Sequence, residues 1–322
     1  MHVYQRDQIE AALSGADVVA AIEAGFRAMS RGEAVIPPVG EMVFDRPPGE
    51  VHIKYGYLRG DDFYLVKVAS GFYENPQRGL PSSSGLMLLF RRETGQLAAV
   101  LNDEGFLTDL RTAAAGAVAA KLLAPKRVDR IGVLGTGTQA RLQLRMLAEV
   151  TTCREVLVWG RDPAKAAAYR HDLEPMGFRV EIADTTAEVA TQSDLIVTTT
   201  PSHAPLIYAD QLKPGTHITA VGADTPGKRE LAPEVLARAD LVAGDRLSQC
   251  ITRGEIAHGL RTGCVCLDDC VELGDLLLGS QPGRPSPRAI TVADLTGVAV
   301  QDIQIAKLAY RRLREREGVR HD

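Results

Sequence analysis

Arg130-Ile-Gly-Val-Leu134 runs straight into Gly135-Thr-Gly-Thr-Gln-Ala140, and these residues decide the fold. The first part is a short apolar run of strand character. The second is a G-x-G-x-x-A turn. A helix-forming stretch from about Gln139 to Val150 follows it, then a second apolar run at Val156–Trp159. Each part of the turn has a mechanical job. Gly135 permits the tight turn, Gly137 lets the backbone approach a pyrophosphate, and Ala140 allows helix and strand to pack closely. The helix start offers unpaired N–H groups and the positive end of a dipole to phosphates. The bland alternative is a glycine-rich βα turn that holds no ligand. Strand, turn, helix and second strand in that order favour a dinucleotide site.

The second strand narrows the cofactor class. Where a ribose 2′-hydroxyl is bound, that strand ends in Asp or Glu about twenty residues on. Here it ends Val158-Trp159-Gly160-Arg161. An arginine there can hold a 2′-phosphate, so NAD(P)H is expected, with a lean towards NADP. Asp162 is still within reach of a ribose, which keeps NAD open.

Further along, a helix is expected at Pro163–Leu173 and apolar runs occur at Leu195–Thr199, Ile218–Val221, Leu241–Ala243 and Ala289–Ala293. Strands alternating with helices mean βαβ units and a parallel sheet. A Rossmann-type, doubly wound domain is therefore expected over residues 126–299. The earlier part differs. Ser14-Gly-Ala-Asp17 reads as a capping box opening a helix to about Gly32, with Ile22, Phe26 and Met29 on one face. Four strand-like runs follow without intervening helices: Val51–Leu58, Asp62–Ala69, Gly85–Phe90 and Gln96–Asn102. They suggest an antiparallel or mixed sheet. A helix Leu107–Leu123 ends before Pro125. Residues 1–125 thus form a smaller α+β domain, and the fold class is α/β. A long helix from Val300 to about Glu317 closes the chain.

Composition excludes several classes. The chain has 322 residues, 45% hydrophobic and 24% charged, which suits two globular domains. The net charge of −4 provides no basic face for nucleic acid or an anionic membrane. The opening MHVYQRDQIEAALSG lacks an apolar h-region, and no stretch reaches bilayer length. The five cysteines are an odd number, which fits reduced cytoplasmic thiols. Cys264, Cys266 and Cys270 form C-x-C-x3-C. A zinc site would need a fourth ligand from Cys250 or His258, at spacings that match no known finger, so buried inert thiols and no metal are expected.

Several segments together resemble the ornithine cyclodeaminase/mu-crystallin family, over roughly Asp17 to Leu308. They are Lys67 in LVKVAS, GLPSSSG at 79–85, Leu107-Thr-Asp-Leu-Arg-Thr-Ala-Ala-Ala115, the Gly135 loop, Thr198-Thr-Thr-Pro201, Gly222-Ala-Asp-Thr-Pro-Gly-Lys-Arg-Glu230 and Asp294-Leu-Thr-Gly297. The resemblance implies a substrate and dimerisation domain beside the Rossmann domain, with the C-terminal helix, 300–322, returning to the former. It implies a homodimer acting in amino-acid metabolism by hydride transfer at the α-carbon of an amino or imino acid.

Such chemistry must hold a carboxylate and exchange a proton with nitrogen. Arg111 can clamp a carboxylate through two parallel hydrogen bonds. By resemblance Lys67 contacts substrate as a second cation or proton handler, and Asp224 exchanges protons with the amine. Each has a structural alternative: Arg111 a surface ion pair, Lys67 a snorkelling strand residue, Asp224 a helix cap. Their joint occurrence favours the site. The resemblance places Ser82, Thr112, Thr138, Gln139, Thr199, Lys228 and Thr296 at the cofactor with Gly135, Gly137 and Arg161, and Gly297 at the substrate. Leu295 departs from the family's usual serine. Pro37-Pro38-Val39 lacks an arginine that many relatives use for the carboxylate. His52 and Lys54, alternating on one strand face, are candidates to replace it; the alternative is a solvated edge strand.

Three functions fit. The first is an NAD(P)H-dependent reductase converting a small α-imino acid to an L-amino acid. The second is a cyclodeaminase with tightly bound NAD, acting on ornithine or a related diamino acid. The third is a non-catalytic NADP-dependent binding protein of the crystallin type, which intact Lys67, Arg111 and Asp224 argue against. The positive charge of Lys67, Arg111, His52 and Lys54 points to a dicarboxylic substrate, with iminosuccinate, giving aspartate, as the leading candidate.

Overall fold

The computed structural model describes residues 1–72 and 74–318. The chain divides into two compact units, one comprising Met1–Arg111 and the segment from Val298, the other Thr112–Gly297.

The first unit opens with β1 (His2–Gln5), α1 (Arg6–Leu13) and α2 (Val18–Ser30). Next come β2 (Ala34–Val35), β3 (Gly40–Asp45), β4 (Pro48–Leu58), β5 (Phe63–Gly71), β6 (Ser83–Arg91) and β7 (Leu97–Asn102). The strands lie in the order β1-β7-β6-β5-β4-β2, with β3 also on β4. Pairing is antiparallel except that β1 runs parallel to β7, so the sheet is mixed. Period-two alternation buries Leu58, Leu65, Met87, Leu89 and Leu101 on one face. The C-terminal helix, Ala299–Arg316, packs on β4, β5 and α2, and buries Ile303, Ile305, Ala306, Ala309 and Leu313. The expected helix over 300–322 therefore ends at Arg316 among the described residues; positions 319–322 lie outside them.

Two local expectations change. Asp17, not Ser14, caps α2: its carboxylate accepts from the Ala20 N–H at 2.8 Å. Ser14 instead ends α1, a helix that the polar opening residues did not signal. The division between units falls within α3 (Phe106–Leu123), between Arg111 and Thr112, not after residue 125. Pro125 stops the helix, but packing partitions it. Gln143 Nε2 donates to the Thr112 carbonyl at 3.2 Å, and a side chain at Gly116 would collide with Gln143.

The second unit contains β8 (Ile131–Leu134), α4 (Thr138–Leu147), β9 (Glu155–Trp159), α5 (Pro163–Leu173), β10 (Arg179–Ile182), α6 (Thr186–Gln192) and β11 (Leu195–Thr198). It continues with β12 (His217–Ala220), α7 (Pro233–Arg238), β13 (Leu241–Gly244), α8 (Leu247–Cys250), α9 (Gly254–Thr262), β14 (Cys270–Glu272), α10 (Leu273–Leu278) and β15 (Thr291–Asp294). All eight strands are parallel, in the order β10-β9-β8-β11-β12-β15-β13-β14. Strands β8, β11, β12 and β15 are buried throughout, as a sheet covered on both faces requires. The strand order reverses between β8 and β11. Open α/β sheets bind ligands at such a switch point, outside the carboxyl ends of the strands. Among the described residues no helix is long and apolar enough to cross a membrane.

Candidate functional site

The turn from β8 into α4 lies at the switch point. Gly135 has φ +114°, and a Cβ there would lie 2.5 Å from Thr199 Oγ1, so the position demands glycine twice over. The Thr199 hydroxyl donates to the Leu134 carbonyl at 3.0 Å and ties the end of β11 to this turn. Gly137 is the N-cap of α4, and no atom lies within 4 Å of where its Cβ would stand. The helix start is thus bare backbone facing open space, with Thr138 exposed and Gln139 half-buried behind it. Arg141 braces the turn: Nη1 donates to the carbonyls of Thr136 and Gly137, and the guanidinium lies over the Tyr169 ring. This is a cradle suited to a pyrophosphate.

At the end of β9, Arg161 is exposed. Asp162 next to it is a helix cap. Its carboxylate caps α5, accepting from Ala164 N at 2.9 Å and Lys165 N at 3.4 Å. The cap uses one carboxylate oxygen, Oδ1, and both Arg161 and Asp162 are exposed at this strand end.

The loops after β11 and β12 are knitted by Glu230, which is fully buried. It accepts from the Thr198 hydroxyl at 2.6 Å, the Thr200 hydroxyl at 2.7 Å and the Gly222 N–H at 2.8 Å. Burial pushes its carboxyl up to about 7 against those bonds. In the same loop, Asp224 is solvent-exposed, and buried Lys228 donates to its Oδ1 at 2.9 Å. Thr296 and Gly297 are held by Asp245. The Thr296 hydroxyl is buried and donates to Asp245 Oδ1 at 2.8 Å, while Gly297 N–H donates to Asp245 Oδ2 at 2.6 Å. Gln249 Nε2 donates to both the hydroxyl and the carbonyl of Thr296. Thr296 thus turns its side chain inward, because Asp245 and Gln249 use it to fix the segment's backbone. Leu295, in the same segment, is buried.

The first unit gathers a second set. Lys67 on β5 is 2% exposed, Arg111 on α3 is 4% exposed, and Asp302 in the first turn of the C-terminal helix is fully buried. Lys67 Nζ donates to Asp302 Oδ1 at 3.0 Å, and Arg111 Nε to the same oxygen at 2.9 Å. Arg111 Nη1 donates to Gln301 Oε1 at 2.7 Å. Burial lowers the Lys67 ammonium to about 7, with Asp302 acting in the opposite sense and Arg111 and Lys54 in the same one. For Asp302, burial favours the neutral acid, but the cations Arg111, Lys67 and Lys54 prevail and hold it below the usual carboxylate range. Asp103, in the turn before α3, is also buried. Its Oδ2 accepts from Leu107 N–H at 2.7 Å, and burial pushes its carboxyl up to about 6.

Lys54 is 8% exposed and stands directly opposite Lys67 in the β4–β5 register, so it faces this cluster rather than solvent. His52, two residues back on the same face, lies 3.6 Å from Glu41 and 3.7 Å from Glu50. The expected surplus of positive charge is therefore smaller at His52 than counted, because carboxylates flank it. Ser82 lies in the same unit, half-buried ahead of β6, where its carbonyl accepts from Phe72 N–H at 2.8 Å. Asp302, Gln301 and Asp103 were missed in the sequence. Asp302 had one usable signal, an acid in the first turn of a helix otherwise apolar on that side. Cys264, Cys266 and Cys270 are free thiols, and the described residues hold no group of three or more metal-ligating side chains.

A parallel sheet with a glycine cradle at its switch point, and a separate unit carrying a buried Lys–Asp–Arg cluster, define a dinucleotide-binding protein with a second, cationic site. The model of the ornithine cyclodeaminase/mu-crystallin family matches residues 1–317, and the chain belongs to that family. It is 42% identical over 298 residues to a putative dehydrogenase of Rhizobium meliloti, covering 92% of this chain and 90% of that one. It is 34% identical over 304 residues to the iminosuccinate reductase of Paracoccus denitrificans, covering 93% and 92%. Its fold superposes on an archaeal alanine dehydrogenase dimer with bound NAD at a TM-score of 0.92 and 33% identity, covering 100% of this chain and 98% of that one.

Proposed function

We propose that this chain catalyses NAD(P)H-dependent reduction of a small α-imino acid to an L-amino acid. The observation that carries the proposal is the Lys67–Asp302–Arg111 cluster. Two buried cations share one carboxylate, so with Lys67 protonated the three groups keep a net positive charge. A buried net charge is costly unless a partner arrives, and a substrate carboxylate is such a partner. Arg111 offers the planar fork that carboxylates fit, and Lys67 the point charge beside it.

The cofactor fits the cradle at Gly137, where the α4 N–H groups and the open backbone would receive the pyrophosphate. Arg161 would take a 2′-phosphate. Gly135, Thr138, Gln139 and Thr199 would shape the cradle, and Ser82, Thr112 and Lys228 are assigned to the cofactor by resemblance. When bound, the cofactor supplies a hydride for the imine carbon. Asp224 exchanges the proton with nitrogen. Thr296 and Gly297 shape the pocket through backbone that Asp245 holds in place.

Within this class, iminosuccinate is the leading substrate, supported by Lys54 beside Lys67 and by the similarity to an iminosuccinate reductase. We also propose a homodimer formed through the first unit, whose β3 and β4 expose Met42, Val43, Phe44 and Tyr55. The test is a screen for NADH and NADPH oxidation. It pairs pyruvate, glyoxylate and oxaloacetate with ammonia or methylamine, and adds cyclic ketimines. Ornithine and lysine without added reductant complete it. Consumption of reduced cofactor with an oxo acid and amine supports the proposal. Ammonia release from ornithine or lysine with no net cofactor consumption replaces it with cyclodeamination, and no turnover in any arm replaces it with a binding protein.

A further inference from the structure

Neither the cofactor cradle nor the carboxylate clamp accounts for the choice of a fully buried aspartate at position 302. Three elements converge on it: β5 with Lys67, α3 with Arg111, and the C-terminal helix that carries it. We infer that Asp302 is the positioning residue of the carboxylate clamp, aiming the Arg111 guanidinium and holding the Lys67 ammonium beside it. The inference rests on the reductase reading for its kinetic arm only.

The geometry supports it in two ways. First, Arg111 is gripped at two different nitrogens by consecutive residues, Nε by Asp302 at 2.9 Å and Nη1 by Gln301 at 2.7 Å. Two bonds at separate nitrogens of a planar group fix both its plane and its direction, which a single ion pair does not. Second, Asp302 Oδ1 accepts from both cations, so it sets their separation as well as their charge. The position in the first turn of a helix adds the positive end of the helix dipole, which favours the ionised acid.

The charge argument follows. The groups facing Lys67 are Lys54 from β4, Arg111 from α3, Asp103 from the turn before α3 and Asp302 from the C-terminal helix. Lys54 and Arg111 disfavour its cationic form, and burial does so more strongly; Asp302 is the main group in favour. Without Asp302 the lysine gives up its proton at lower pH, and the clamp loses a cation at neutral pH. A group that only tied the helix to the sheet would lower stability without moving that titration.

The experiment compares wild type with Asp302→Asn and Asp302→Glu. One readout is the pH profile of kcat/KM for imine reduction. The other is the Lys67 side-chain titration in protein labelled with 13C-lysine, assigned through Lys67→Arg, which needs no turnover. In Asp302→Asn the alkaline limb and the NMR midpoint should both fall by about one pH unit or more, and turnover lost at pH 7 should return largely at lower pH. Asp302→Glu should restore the midpoint but raise KM, because the longer arm displaces the guanidinium. If Asp302→Asn does not fold, Asp302→Glu alone decides: a wild-type midpoint with raised KM supports the inference, and an unchanged KM overturns it. A pH-independent loss in Asp302→Asn, or an unmoved NMR midpoint, also overturns it. A moved midpoint in a protein that reduces no imine upholds Asp302's hold on Lys67 and rejects the reductase reading instead.

Discussion

Lys228 donates to Asp224 Oδ1 across 2.9 Å, and the two ends of that pair differ: the lysine side chain is 8% exposed and the aspartate 53%. The lysine anchors the loop from within while the carboxylate stands at the surface, and the proposal has it exchange a proton with the substrate nitrogen. Asp224→Asn keeps the shape and the hydrogen-bonding oxygen but cannot carry a proton. We expect cofactor affinity and melting temperature to stay near wild type while turnover falls by roughly 10²-fold or more. Near-normal turnover would pass the proton-handling role to another group, with Lys67 the next to test.

At Gly137 no atom lies within 4 Å of where a Cβ would stand, and the proposal gives that space to the pyrophosphate. Gly137→Val should therefore fold but lose cofactor binding, because its side chain would occupy the pyrophosphate's place. Fluorescence titration with NADH and NADPH measures this. Wild-type affinity in the variant would remove the assignment of the cradle.

Much of this architecture was legible because its causes are local. G-x-G-x-x-A between an apolar run and a helix carries its own mechanics, and helix α5 begins and ends at Pro163 and Leu173, where the pattern put it. What stayed hidden depends on contacts distant in sequence. Asp302 meets Lys67 and Arg111 from 235 and 191 residues away, and no spacing rule reaches that far. The unit boundary inside α3 was hidden for the same reason: helix periodicity is continuous through Arg111 and Thr112, and only packing divides it. The cap at Asp162 is equally illegible, because the same residue type serves as helix cap and as ribose ligand; the bonds to Ala164 and Lys165 show the cap.

The Lys67 ammonium, lowered by burial to about 7, should give the reductase its alkaline limb. The protonated form binds the substrate carboxylate, so kcat/KM is level below about 7 and falls as pH rises through it. A bound carboxylate favours the cation, so the limb in kcat should lie at higher pH than the limb in kcat/KM. Lys67→Met should abolish the limb and raise KM by about 10-fold or more, the worth of a charged hydrogen bond. A limb that survives in Lys67→Met assigns it to another group.

Arg161 stands exposed at the end of β9, beside the Asp162 that caps α5, and the proposal gives it the choice of cofactor. NADPH should be used at least comparably to NADH. Arg161→Ala should weaken NADPH by about 10-fold, one charge-assisted contact, and leave NADH near wild type. The measurement is kcat/KM for both cofactors in both proteins. A strong NADH preference that persists in Arg161→Ala makes the arginine a spectator.

Substrate charge turns on Lys54. It is buried and opposite Lys67 on the same sheet face, so two ammonium groups and the Arg111 guanidinium lie in one region of the first unit. His52 contributes less, since Glu41 and Glu50 flank it. A dicarboxylate could place one carboxylate on Arg111 and Lys67 and the other towards Lys54. A monocarboxylate would use only the first pair. Lys54→Ala should therefore raise KM for iminosuccinate, formed from oxaloacetate and ammonia, by about 10-fold or more. For the imine of pyruvate the change should stay within about twofold, since that substrate has no second carboxylate for Lys54 to meet. Steady-state kinetics on both imines, in wild type and variant, give the comparison. Equal losses on both substrates, or none on either, would reject a second carboxylate site and return the choice to a neutral or basic imino acid, held by Arg111 and Lys67 alone.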